Sequence, residues 1–229
     1  MSVETSVYAV LTGDITASSR LPPKEREKLP EMLRRTAGAA RDHFAPAVCH
    51  PIDIFRGDSW QLLVERPALA LRIAVFMRAA LRSTYDSADI DTRVAIGFGT
   101  VDFVPDHDIS GGDGEAFRLS GGAIDAMERD VRMAIAAGRA LPRSTTVSLD
   151  AVARLVDLQI TRWTRRQAFA VSRAVLGRTQ QQIGDEWVDR PITQQSVAQH
   201  LTAAGWHAIE YAARVSETIF ERVHDDPTL

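Results

Sequence analysis

Apolar residues in the first two-thirds of the chain fall into short runs and alternations, whereas past Ser144 they recur every three or four residues. Val7 to Leu11 is an apolar run that predicts a buried strand ending at Thr12-Gly13-Asp14, which places Asp14 at the edge of a sheet. Beyond a polar loop holding Pro22 and Pro23, residues Leu29, Leu33, Ala37 and Ala40 mark one face of a helix over Lys24 to Phe44. Pro51 to Glu65 predicts a hairpin, with strands over Ile52 to Phe55 and Trp60 to Val64 and a turn at Arg56-Gly57-Asp58. Ala68 to Leu81 is helical by periodicity. Thr92 to Val104 reads as a long strand in which Val94, Ile96 and Phe98 face one way and Gly97 and Gly99 the other, so something must approach the glycine face closely. A Gly- and Asp-rich loop, Pro105 to Gly114, leads into a helix from Glu115 to Met127, and Val131 to Ala136 predicts a last strand. The order β-α-β-β-α-β-α-β implies an α+β fold of the split βαβ, ferredoxin-like kind: an antiparallel sheet with helices on one face.

The remaining chain predicts helices only: one from Ser148 and Asp150 through Ile160, then Thr164 to Leu176, Thr179 to Val188, Thr193 to Ala204 and Trp206 to Val223, with stops at Gly177 and Gly205. The expected division is residues 1–143 as the α+β domain and 144–229 as an all-α domain. Leu176, Ile183, Trp187, Val197 and Leu201 are spaced to form the core of a helix-turn-helix, which leaves Gln194, Gln195, Ser196, Gln199 and His200 on the exposed face of its second helix. Side chains of that kind can read base edges. The segment resembles the helix-turn-helix of sigma-factor and LuxR-like regulators at Thr179, Gln180, Ile183 and Thr193-Gln194-Gln195-Ser196-Val197, and the resemblance implies DNA as a partner. Arg162, Arg165, Arg166, Arg173 and Arg178 cluster at its start, with Arg165 and Arg166 the foremost phosphate contacts. The alternative is a helical packing or dimerisation unit.

Composition restrains this picture more than it extends it. The 229 residues are 45% hydrophobic and 25% charged, as in an ordinary globular protein, and the net charge of −3 gives no whole-chain attraction to nucleic acid. Between Arg154 and Arg222 nine arginines stand against seven acids, a modest excess for a phosphate-binding surface. The single cysteine, Cys49, cannot form an internal disulfide, and no basic region followed by an apolar run reads as a signal peptide, so a cytoplasmic location is expected. The most apolar segment, Leu69 to Leu81, is short and interrupted by Arg72 and Arg78, which argues against a membrane. His43, Cys49 and His50 lack metal-ligand spacing, the Gly111-Gly112-Asp113-Gly114 loop lacks the lysine of a phosphate-binding loop, and Trp163 and Trp206 are expected in the core.

Two aspartates carry the candidate chemistry. If the split βαβ arrangement holds, Asp14 and Asp58 lie on adjacent central strands, and two carboxylates so placed suit Mg²⁺, which takes one or two carboxylates plus substrate phosphates. The plainer alternative is a cap for Asp14 and a turn residue for Asp58. The arrangement resembles the palm-type domain of class III nucleotidyl cyclases and diguanylate cyclases. A closer resemblance, to the SatD family, rests on Tyr8-Ala9-Val10-Leu11-Thr12-Gly13-Asp14-Ile15 with Ser18 and Arg20, on Phe55-Arg56-Gly57-Asp58-Ser59-Trp60-Gln61, on Arg93-Val94-Ala95-Ile96-Gly97-Phe98-Gly99 and on Gly112-Asp113-Gly114-Glu115-Ala116-Phe117. A C-terminal helix-turn-helix is also seen in that family. These resemblances imply a cyclase-like fold, Asp14 and Asp58 as metal ligands, Gly13, Gly57 and Arg118 near a nucleotide, and a homodimer. A cyclase of this class also carries an asparagine and an arginine on the helix after the fourth strand. Those places fall here on Glu115 or Ala116 and on Leu119 or Ser120, and Ser59 follows Asp58 where many palm domains carry an acid. The leading expectation is therefore a DNA-binding regulator with a nucleotide- and Mg²⁺-binding cyclase-like domain. The alternatives are an active Mg²⁺-dependent nucleotidyl cyclase or transferase regulated by its helical C-terminus, and an adaptor with neither ligand.

Overall fold

The computed structural model describes residues 6–55, 57–84, 90–105 and 109–225; Arg56 of the expected turn and residues 106–108 of the expected loop lie outside these. Five strands form one sheet in the order β2-β3-β1-β4-β5, namely β1 Tyr8–Thr16, β2 Asp53–Phe55, β3 Ser59–Val64, β4 Asp91–Gly99 and β5 Met133–Ala137. β1 lies at the centre, antiparallel to both β3 and β4. The chain is α+β, as its patterning predicts.

Strand alternation assigns the two faces. Ala9, Leu11 and Ile15 of β1, Trp60, Leu62 and Val64 of β3, and Val94, Ile96 and Phe98 of β4 join one core with α2 (Leu29–Phe44) and α3 (Ala70–Thr84). The opposite face is not open. α4 (Glu115–Asp125) lies across it, where Val10, Leu63, Ile109, Ala116 and Phe117 make a second, smaller cluster and the hydroxyls of Thr12 and Ser120 meet at 2.8 Å. This is the close approach the glycines demand: a Cβ on Gly97 would stand 2.5 Å from the Ser120 nitrogen, and one on Gly99 would stand 2.9 Å from that of Ala116.

The expectation of an antiparallel sheet with helices on one face is corrected in two respects. β5 runs parallel to β4 and α4 is the crossover between them, so it must leave the α2/α3 side once that side is filled. The expected Lys24–Phe44 helix is also divided into α1 (Pro23–Arg26) and α2, because Pro30 starts a new helix in its first turn.

The C-terminal part contains α5 (Arg143–Thr161), α6 (Arg165–Val175), α7 (Gln180–Asp185), α8 (Gln194–Ala203) and α9 (Trp206–Asp225). α5 starts at Arg143, ahead of the predicted cap at Ser148, because Pro142 presets the N-terminal geometry there. Thr164 and Thr179 each form a reciprocal capping box with a glutamine three residues on, and Thr193 caps α8 through the Ser196 amide. Leu149, Ala153, Val156, Ile160, Phe169 and Val171 belong to the same hydrophobic cluster as Leu71, Phe76 and Ile96, so one core runs through both parts of the chain. Trp163 and Trp206 are buried in it. Among the described residues, no helix is long and apolar enough to cross a membrane.

Candidate functional site

Period-2 alternation puts Asp14 on the α4 face of β1, two places beyond Thr12, near the strand's C-terminal end. Register sets it opposite Arg93 of β4 on one side and Ser59 of β3 on the other. Arg93 grips both carboxylate oxygens: its Nε donates to Asp14 Oδ1 at 2.8 Å and its Nη2 donates to Oδ2. The pair is about 30% exposed, with side-chain values of 31% for Arg93 and 28% for Asp14. The hydrogen bonds from Arg93, together with the charges of Asp14 and of Asp125 in the last turn of α4, hold the Arg93 guanidinium above its usual range against the partial burial that opposes them. Behind it, Trp60 Nε1 donates to Thr92 Oγ1 at 2.9 Å and that hydroxyl reaches the Asp14 carbonyl at 2.8 Å.

Asp58 stands one residue before β3, and its carbonyl accepts the Ile15 amide at 3.0 Å, so its backbone adjoins that of Asp14. Its carboxylate faces a different neighbourhood: Ser18 Oγ donates to Oδ2 at 2.7 Å, and the side chain lines a cleft of about 370 Å³ with Gly57, Ser18, Arg26, Glu27 and Leu29. The structure thus brings the two aspartates together in the backbone and gives each carboxylate its own partner. Asp14 lies on the α4 face of the sheet with Arg93, whereas Asp58 faces the cleft beside α1 and α2. No group of three or more histidine, cysteine or acidic side chains suited to a metal occurs among the described residues, and His43, Cys49 and His50 form none.

Gly13 and Gly57 have local structural duties. A Cβ on Gly13 would collide with the Trp60 ring and stand 2.7 Å from the Arg93 carbonyl, whereas Gly57 has open space but a φ of +85°. Arg118 lies toward the other end of α4, where it pairs with Asp113 and, at 3.8 Å, with Asp102. Glu115 accepts the Arg139 amide, Ala116 and Ser120 are buried against the sheet, and Leu119 is half-buried.

Where α7 meets α8, Val197 and Leu201 pack inward with Ile183 and Trp187, and Gln194, Gln195 and Gln199 are exposed. Ser196 and His200 are half-buried. The Ser196 hydroxyl lies 2.9 Å from that of Thr193, and His200 stacks on Trp187 at 4.9 Å between ring centroids. Burial first, and the nearby Arg166 charge second, lower the His200 pKa and favour its neutral form. Arg165 Nε donates to the Ser83 carbonyl at the end of α3 (3.0 Å), Arg166 pairs with Asp189 (3.2 Å), and Arg173 and Arg178 share Glu186 (3.3 and 3.6 Å).

Sequence reasoning passed over the charges beneath the site. Arg78, fully buried on α3, donates to Asp91 Oδ2 at the start of β4 (2.6 Å) and to Asp157 Oδ1 of α5 (2.7 Å). Arg82 joins Asp91 at 3.1 Å. Burial would raise the Asp91 pKa, but Arg78 and then Arg82, with the Thr92 amide, bring it below the ordinary value. The signal was present in part: Arg72 and Arg78 are the two interruptions of the most apolar helix, and they meet Glu217 (2.6 Å) and Asp157 of the C-terminal helices.

No family model matches the sequence and no curated protein matches it, so the SatD resemblance rests on the short motifs alone. Among solved structures the chain is similar to the guanylyl cyclase Cya2, at 19% identity and a TM-score of 0.43, over 65% of this chain and 80% of that one. It is also similar to a bacterial light-regulated adenylyl cyclase, at 16% identity and a TM-score of 0.34, over 58% of this chain and 44% of that one.

Proposed function

We propose that this protein binds a nucleoside triphosphate with Mg²⁺ through Asp14 and Asp58, as a cyclase-like domain with slow turnover or none, and that its C-terminal helices are a fused regulatory support. One observation carries the proposal: the Asp58 carbonyl accepts the Ile15 amide, which brings the backbones of the two aspartates to one sheet end, where the Asp58 side chain lines a cleft. Asp14 and Asp58 would hold Mg²⁺, which would supply charge neutralisation for a bound triphosphate. Slow turnover follows from α4, where Glu115, Ala116, Leu119 and Ser120 supply neither the asparagine nor the arginine that the cyclase resemblance requires. Each missing transition-state donor costs roughly 10²- to 10³-fold. Assembly as a homodimer belongs to the same proposal, as does kinship with the SatD family. Calorimetry with ATP and GTP, with and without Mg²⁺, is the test: Asp14→Ala and Asp58→Ala should each abolish Mg²⁺-dependent binding with the melting transition retained. Unchanged affinity in both variants would remove the site.

The exposed Gln194, Gln195 and Gln199 favour a second proposal, a transcription regulator that reads DNA through α8. The salt bridges of Arg166, Arg173 and Arg178 work against it, because each already satisfies an acid of the same unit. Gel shifts against genomic fragments at two salt concentrations decide the matter: Gln195→Ala and Gln199→Ala should each lose about 1–3 kcal/mol of specific affinity, and no retention at low salt ends the DNA proposal.

A further inference from the structure

The Arg93 guanidinium covers both oxygens of Asp14, the carboxylate that the proposed site offers to a metal. A divalent cation and a guanidinium cannot both hold those oxygens at bonding distance without strong like-charge repulsion. Arg93 is also well placed to change partners. It lies about one-third exposed at the site's rim and is anchored by its backbone in β4 opposite Asp14, so only its side chain needs to move. The Asp14 main chain is likewise fixed, since its carbonyl receives Thr92 Oγ1 and its backbone is paired on both sides.

We infer that Arg93 is a gating latch: it keeps the metal off Asp14 until an anionic triphosphate draws the guanidinium away, so that metal and nucleotide bind together and the metal alone binds poorly. This inference rests on the proposed Mg²⁺–nucleotide site and adds an order to its binding. The latch costs no unpaired charge in either state. In the closed state Arg93 neutralises Asp14; in the open state the cation does so, and Arg93 meets phosphate oxygens, with which a guanidinium pairs well. Trp60, Thr92 and the buried Asp91–Arg78 pair hold the strand end rigid, which confines the exchange to side chains.

The test uses Mn²⁺ as a paramagnetic stand-in for Mg²⁺, titrated by electron paramagnetic resonance into the full-length protein without nucleotide, and separately a metal-free titration with ATP and GTP. Arg93→Met should bind Mn²⁺ alone about fivefold to tenfold more tightly than wild type, the amount expected for removing a competing ion pair worth ~1 kcal/mol. The same variant should bind metal-free triphosphate more weakly. These opposite signs separate a latch from a structural salt bridge, whose loss would weaken both or neither. Arg93→Lys, which keeps the charge but loses the two-pronged grip, should fall between wild type and Arg93→Met on Mn²⁺, and it serves as the folded control if the methionine variant melts early. Wild type that binds Mn²⁺–ATP while Arg93→Met and Arg93→Lys match its Mn²⁺ affinity overturns the latch and spares the site. Wild type that binds neither Mn²⁺ nor triphosphate overturns the site itself.

Discussion

Gly13 and Gly57 flank the candidate site in sequence and differ in the reason they are glycine. At Gly13 the constraint is space, since the Trp60 ring and the Arg93 carbonyl occupy the volume a side chain needs; at Gly57 it is backbone, since φ is +85° with nothing nearby. Gly13→Ala should therefore destabilise the fold by about 1–3 kcal/mol through overpacking. Gly57→Ala should cost about 1 kcal/mol, the left-handed penalty of one residue. Urea unfolding of both variants checks the ranking, and a larger cost at Gly57 would contradict it. The period of two already placed Arg93 on the face of Gly97 and Gly99, so its direction was legible in the sequence. Its grip on Asp14 was not, because cross-strand partners depend on register, and register depends on which strands become neighbours.

At the level of elements, α3 shows how charge can sit inside an apolar helix. Arg78 is fully buried, yet its guanidinium meets carboxylates from β4 and α5, so no isolated charge is left in the interior. Arg78→Met should destabilise by ~3–5 kcal/mol because it strands Asp91 without its main partner. The same network sets an acid limit. Asp91 has a folded pKa below its unfolded value of ~3.9, so its contribution is present above that value and is lost as pH falls through it toward the lower folded pKa. Stability measured from pH 6 down to pH 2 should fall less steeply in Asp91→Asn, from a lower starting value, than in wild type. In α8, the spacing of Val197 and Leu201 correctly assigned the buried side, but the stacking of His200 on Trp187 required knowing where the preceding helix ends.

For the whole molecule, the hydrophobic core passes from the sheet through α3 into α5, α6 and α9, and Phe98 of β4 touches Phe220 of α9 with ring centroids 4.5 Å apart. A fragment ending at residue 143 would expose the α3 surface that α5 and α6 cover and leave Arg78 without Asp157. It should be insoluble or molten, with dye-accessible apolar surface and no cooperative melting; a cooperatively folding fragment would show that the C-terminal helices are dispensable. The sequence by itself determined the α+β class, most helix limits, the buried face of nearly every element and the presence of two aspartates at strand ends. These follow from local periodicity and from proline, threonine and glycine at element boundaries, which act over a few residues of chain. The tertiary structure alone decided that α4 crosses to the second face, that Arg93 holds Asp14 while Ser18 holds Asp58, and that Arg78 joins β4 to α5. Those contacts link residues from 13 to 108 positions apart, and such a pairing is fixed only when the chain's packing brings its partners together.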